Sequence, residues 1–177
     1  MPDTGRAGGT ALIPAPALAS LDQEHLAAAL RPLWEDAAML SGCLLGRRFA
    51  SWAEVIDAAA AEIDDMSDVQ KARLLESHPP IGKPPERLRA TSLTSWQEQG
   101  RGQGLDEALA ERLADLNRLY TERFGFPFVE WIAGRPPAAI AVVIEDRIRR
   151  DRAVELRAGC DALVAIARDR LRRLEDA

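Results

Sequence analysis

Cysteine is nearly absent from this chain. Cys43 and Cys160 are the only two in 177 residues, far apart and without the close pairing of a zinc site, which argues against a disulfide-stapled scaffold and a cysteine-rich metal fold. They read as two small hydrophobes in a reducing cytosol. Basic excess is missing as well: the formal net charge is -5 and the pI about 5.2, so the broad positive footprint that grips phosphate backbones is not expected, nor is a nucleic-acid partner. No apolar run has the length to span a bilayer. The opening stretch, Met1 to Pro16, is rich in Gly, Ala, Pro and Thr, and its apolar part Ala11-Leu12-Ile13 is broken by Pro14 and Pro16, unlike a signal peptide. The last residues, Leu174 to Ala177, are no peroxisomal address. The composition reads as a soluble, cytoplasmic chain of one domain, long enough to bury its own core.

Familiar chemical motifs are missing too. There is no phosphate-binding loop, zinc ligand set or Ser-His-Asp order. Gly100-Arg101-Gly102-Gln103-Gly104 is glycine-dense, but it follows a short helix and lacks the Lys-Ser/Thr of a P-loop, so it reads as a hinge. No alternating strand pattern and no internal repeat are found.

Helix starts, by contrast, are legible. Ser20-x-x-Gln23, Ser51-x-x-Glu54, Ser67-x-x-Gln70 and Thr94-x-x-Gln97 each fit the reciprocal capping box, in which side chain and backbone at a helix start satisfy one another. Gly104 precedes a long amphipathic stretch that should stop at Gly125, Pro136-Pro137 should open another helix, and a final one is expected from about Ala153 to Leu174. Leu109, Leu113, Leu116 and Tyr120 recur at helical spacing, as do Leu156, Cys160, Leu163, Ala167 and Leu174. Two stretches interrupt the helices: a proline-rich, charged loop from Pro79 to Leu93, and the aromatic run from Phe124 to Ile132. Phe124 and Phe126 read as core, whereas the chain after Pro127 has no sheet neighbour and could offer backbone groups to a ligand.

The chain has two histidines. His78 stands where a helix must stop, because Pro79 disfavours helical geometry at the residue before it and donates no backbone hydrogen bond. A ring held at such a corner can move a proton near neutrality; equally, it can cap the helix end. Ser95, Glu98 and Gln99 share one helical face, readable as a polar site or as a solvated helix start. Arg170 lies on an apolar helix face and needs an anionic partner, either a structural Asp or Glu or a substrate carboxylate. Arg147, flanked by Ile140, Val143 and Ile144, reads as a structural ion pair, and the run Arg147 to Arg152 as a basic helix C-terminus. His25 reads as a surface or interhelix residue.

In this order, Arg48-Phe49-Ala50-Ser51, Leu75-x-x-His78-Pro79-x-Ile81-Gly82, Ser95-x-x-Glu98-Gln99, Leu116-Asn117-x-x-Tyr120, Arg123-Phe124-Gly125-Phe126-Pro127-Phe128 and Ile166-Ala167-x-x-Arg170-Leu171 resemble the 2-oxo-4-hydroxy-4-carboxy-5-ureidoimidazoline (OHCU) decarboxylases, enzymes of uric-acid breakdown that make (S)-allantoin. The resemblance runs from about Leu21 to Leu174. It implies an all-α, single-domain bundle of about seven to eight helices over residues 19–177, preceded by a flexible segment 1–18. It further implies a homodimer that acts on a small-molecule substrate with no metal or organic cofactor. Carried over by position, His78 is the acid/base, with Glu98 and Arg170 as its catalytic companions. Pro79, Ser95, Trp96, Gln97, Glu98, Gln99, Phe128, Val129, Glu130, Trp131 and Ile132 line the substrate. Competing readings are a non-catalytic binding or regulatory module on the same scaffold, an enzyme for a related ureido-imidazoline, and a DNA-binding regulator using Arg147 to Arg157, which the acidic pI disfavours.

Overall fold

A computed structural model of the chain describes residues 12–35, 37–79, 106–132 and 134–176. All regular structure among them is helical: a 3-10 turn over Ala15–Ser20, then α1 (Gln23–Leu30), α2 (Ala38–Leu44), α3 (Trp52–Asp65), α4 (Asp68–Glu76), α5 (Glu107–Phe124), α6 (Pro137–Arg147) and α7 (Arg152–Glu175). The fold is all-α, with no strand among the described residues. None of these helices is long and apolar enough to cross a membrane.

The local signals act largely as the sequence dictates, with corrections at Ser51 and Ser20. At α4 the full capping box forms: the Ser67 hydroxyl accepts from the Gln70 N–H, and the Gln70 side chain accepts from the Ser67 N–H at 3.0 Å. At α3 only half of it forms, since Ser51 Oγ accepts from the Glu54 N–H at 3.2 Å while Glu54 reaches back to the Ala50 N–H instead. The Ser20 box does not form. Ser20 spends its hydroxyl on the Ala17 carbonyl inside the 3-10 turn, and Asp22 caps α1 by accepting from the His25 N–H at 2.9 Å. The Thr94 box lies outside the described residues. Asp106 caps α5, and Gly125 closes it in the left-handed conformation at φ 78°, a geometry that glycine adopts without a Cβ penalty. Pro136 and Pro137 open α6 as expected. The last helix begins at Arg152, one residue before the expected start.

The chain divides into two compact units. One comprises Met1–Ala60 with Ala167–Ala177, the other Ala61–Ile166. In the first, α1 packs on α2, and Leu18, Leu26, Leu30, Leu40 and Leu44 are almost fully enclosed. Of the expected flexible segment 1–18, residues 12–18 are described, and they run into the 3-10 turn, where Ala15 and Leu18 are buried. The Trp52 indole N–H donates to the Ile13 carbonyl at 2.8 Å.

In the second unit α5 packs on α6; of the predicted row, Leu113, Leu116 and Tyr120 are buried and Leu109 is half-buried, and Phe124 continues the buried face. The aromatic run folds back on the end of α5. Around the Tyr120 ring, the centroids of Phe124, Phe128 and Phe126 stand at 4.6, 5.3 and 6.1 Å in edge-to-face geometry, the arrangement that the ring quadrupoles favour. Phe124 and Phe126 are core, as read. Arg123, Arg152 and Arg147 lie over Phe124, Phe126 and Phe128 respectively.

At the centre of this unit is a carboxylate with no exposure, Glu155. An isolated charge there would be prohibitively costly. It is met by the Tyr120 hydroxyl at 2.6 Å and by Arg147 Nε at 2.7 Å, with Arg150 at 3.7 Å. Burial, and then this hydrogen bond to a carboxylate, push the Tyr120 ionisation well above the usual phenol range. Tyr120→Phe keeps the ring but strips one donor from a buried anion. We expect it to lower unfolding stability by about 1–3 kcal/mol, read as a shift of the urea midpoint.

The two cysteines differ in burial. Burial pushes the Cys160 thiol up to about 11, whereas Cys43 is only partly buried. The thiolate is the reactive species, so a disulfide dye at mildly alkaline pH should titrate Cys43 in the native protein and Cys160 only after denaturant is added.

Candidate active site

The histidine corner is made by the end of α4. Ser77 and His78 turn their backbone N–H groups to the Leu74 and Leu75 carbonyls at 3.3 and 3.1 Å, and the Ser77 hydroxyl donates to Leu74 at 2.7 Å. Carbonyls left open by the helix end are thereby satisfied. Pro79 then prevents continuation. The His78 residue is 7% exposed and Pro79 is buried, so the imidazole sits in a shielded setting on a braced backbone. The other histidine is a surface residue, paired with Asp22 at 2.7 Å, and that hydrogen bond raises its pKa.

Leu75 is fully enclosed, and its side chain lies against the backbone of Gly159 in α7. A Cβ at Gly159 would stand 2.8 Å from a Leu75 methyl carbon. The glycine therefore permits a close approach beneath the turn that carries His78.

Arg170 belongs to the other unit. Its guanidinium is 3% exposed and donates to the Leu33 carbonyl and to Glu35 Oε1, each at 3.1 Å. The anionic partner demanded by its apolar surroundings is in part structural. Glu35 carried no signal in the sequence, because it lies between α1 and α2 with no periodic pattern to place it.

The stretch Phe128–Ile132 is non-helical chain. Phe128 and Val129 are enclosed, Ile132 is buried, and Trp131 is 38% exposed. Glu130 meets two arginines: Oε1 accepts from Arg135 at 2.6 Å, and Oε2 accepts from Arg147. Arg135 also donates to the Trp131 and Ile132 carbonyls at 2.6 and 3.1 Å. Two of the backbone acceptors of this stretch are thus taken by a side chain. Arg147 is the structural ion pair expected of it, but the run Arg147 to Arg152 is not one helix end. The helix stops at Arg147, Arg150 turns to Asp146, and Arg152 opens the next helix facing Asp68 and the Phe124 carbonyl.

Ser95, Trp96, Gln97, Glu98 and Gln99 lie outside the described residues. Among the described residues, no cluster of three His, Cys, Asp or Glu side chains could hold a metal ion. Glu155 escaped the sequence reading although a signal existed: it shares the face of α7 occupied by Leu156, Gly159 and Cys160, where an acidic residue must have a partner.

Residues 19–172 match the model of the family described as OHCU decarboxylase. The chain belongs to this family. An OHCU decarboxylase of Haloferax volcanii is 33% identical over 125 residues, 71% of this chain and 73% of that protein. One from Halalkalicoccus jeotgali is 29% identical over 157 residues, 86% of each chain. Among solved structures, an OHCU decarboxylase crystallised in the presence of (S)-allantoin superimposes with a TM-score of 0.66 at 18% identity, covering 89% of this chain and all of that one. A crystal structure of (S)-allantoin synthase gives the same TM-score at 20% identity, over 92% of this chain and 54% of that one. At these identities the two structures speak for the fold.

Within this family fold, Gly159 offers a test of the corner. Gly159→Ala gains about 0.5–1 kcal/mol of helix propensity, but crowding an enclosed leucine costs about 1–3 kcal/mol. The second effect should win, giving a net loss of stability in thermal unfolding, with relief when Leu75 is shortened to Val in the same chain.

Proposed function

We propose that this chain decarboxylates OHCU to (S)-allantoin in purine breakdown, with His78 as the acid/base. Membership in the OHCU decarboxylase family carries the reaction. The roles of individual residues rest on matching family positions and on the chemistry of each side chain.

The substrate supplies its own electron sink. Its carboxylate sits on a ring carbon that also bears a hydroxyl and adjoins an unsaturated ring carbon. When the C–C bond to the carboxylate breaks, carbon dioxide leaves and the electron pair enters the ring system. The ring nitrogen that receives the pair takes up a proton, the hydroxyl carbon becomes a carbonyl as its own proton departs, and the carbon bearing the ureido group takes up a second proton. Counting from the carboxylate anion, one proton is consumed overall.

What remains for the protein is placement. Arg170, with Glu98, fixes the anionic substrate, and Glu98 and Gln99 hydrogen-bond its ureido and ring groups. Pro79, Ser95 to Gln97, and the segment Phe128–Ile132 line the remainder. His78 handles the proton, and delivery to one face sets the (S) configuration. Orientation and fixed charge supply most of the acceleration. The brace at the end of α4 supports this reading, because a proton donor on a fixed backbone loses little in reorganisation. We further take the working form to be a cytoplasmic homodimer.

The test is His78→Asn, which removes proton transfer but keeps a planar polar side chain. Loss of general acid/base action should lower kcat by about 10²- to 10⁴-fold, while the circular dichroism spectrum and melting curve remain those of the parent. A folded His78→Asn variant with parental turnover would contradict the assignment.

A further inference from the structure

Glu130 lies in the middle of the segment assigned to the substrate, yet both of its carboxylate oxygens are engaged by protein cations. Oε1 takes Arg135, and Oε2 takes Arg147. From these contacts we infer that Glu130 is a positioning residue rather than a substrate ligand, and that Arg147 is the post to which it ties the segment 128–132. This inference rests on the proposed function, since it concerns how one lining segment of that site is held.

Arg147 is suited to the task. It is the last residue of α6 and 4% exposed. Its Nε is fixed by Glu155, from the first turn of α7, and Glu155 is fixed in turn by Tyr120 of α5. Three helices therefore hold one guanidinium. The opposite side of the group reaches the segment twice, through Glu130 and through the Phe128 ring, whose centroid is 4.9 Å from the guanidinium carbon. Two alternate residues of one extended stretch are thereby set against a rigid frame.

The arrangement is not the cheapest way to fill this space. The second terminal nitrogen of Arg147 is buried without a hydrogen-bond partner, as is Glu155 Oε1. Buried ion clusters are often no more stable than apolar side chains of the same volume. A cluster that leaves one donor group of Arg147 unused, while fixing the non-helical segment 128–132 at two points, is accounted for by the geometry it imposes.

Glu130→Gln is the informative variant, because it weakens the tie while leaving Arg147 with its buried partner Glu155. With OHCU generated freshly from urate, we expect Glu130→Gln to lower kcat/KM by about 10- to 10²-fold, mostly through KM, with a melting curve well above the assay temperature. Arg147→Met should act in the same direction. Arg112→Gln, which breaks an exposed pair between α5 and Glu145 of α6, should leave both constants at parental values. Glu130→Asp, which restores the charge, should recover part of the lost KM. A folded Glu130→Gln variant with parental KM overturns this inference alone, as does a loss confined to kcat. A parent chain with no turnover removes the proposed function and this inference together.

Discussion

A carboxylate wholly withdrawn from water governs the geometry of the larger unit. Glu155 is accommodated there because Tyr120 and Arg147 bring hydrogen-bond donors to it, and those donors come from different helices. The charge therefore acts as a joint. Once α5, α6 and α7 meet at it, the aromatic residues following α5 have one surface to pack against, and Arg147 has one position from which to reach Phe128 and Glu130. Coulomb attraction and desolvation nearly cancel in such a cluster. What survives the cancellation is direction: each group accepts few alternative placements without stranding a buried charge.

The same logic recurs in smaller form elsewhere. Arg170 is held by a backbone carbonyl and one carboxylate within its own unit, and the His78 corner is held by backbone hydrogen bonds to Leu74 and Leu75. In each case a group assigned to the proposed site is fixed by its protein neighbours. That is the condition under which positioning lowers a barrier.

How much of this the sequence discloses depends on the range of the interaction. Helix ends are local events, so the Ser67 box, the Gly125 stop and the proline-opened α6 are legible from a few residues. Ser20 is misread because two local structures compete for one hydroxyl and the 3-10 turn takes it. Arg147 and Arg170 are legible as needing partners, since a cation on an apolar face is an anomaly within its own helix. Their partners are not, because Glu155 stands 8 positions from Arg147 and Glu35 stands 135 from Arg170, and only the fold brings them together. The family motifs at His78, Phe128 and Arg170 are visible as letters. That Glu130 is consumed by two arginines belongs to the three-dimensional arrangement alone.

Under the proposed function, the central act is the delivery of one proton to one face of the substrate ring, assigned to the His78 imidazole. The most direct measurement is stereochemical. With OHCU made in place from urate, protonation by water alone favours neither face, so circular dichroism of the product reports catalysis and facial choice at once. A growing (S)-allantoin signal is expected, far faster than without protein and proportional to the protein added. Product without optical activity, formed at the rate seen without protein, would contradict the proposed function.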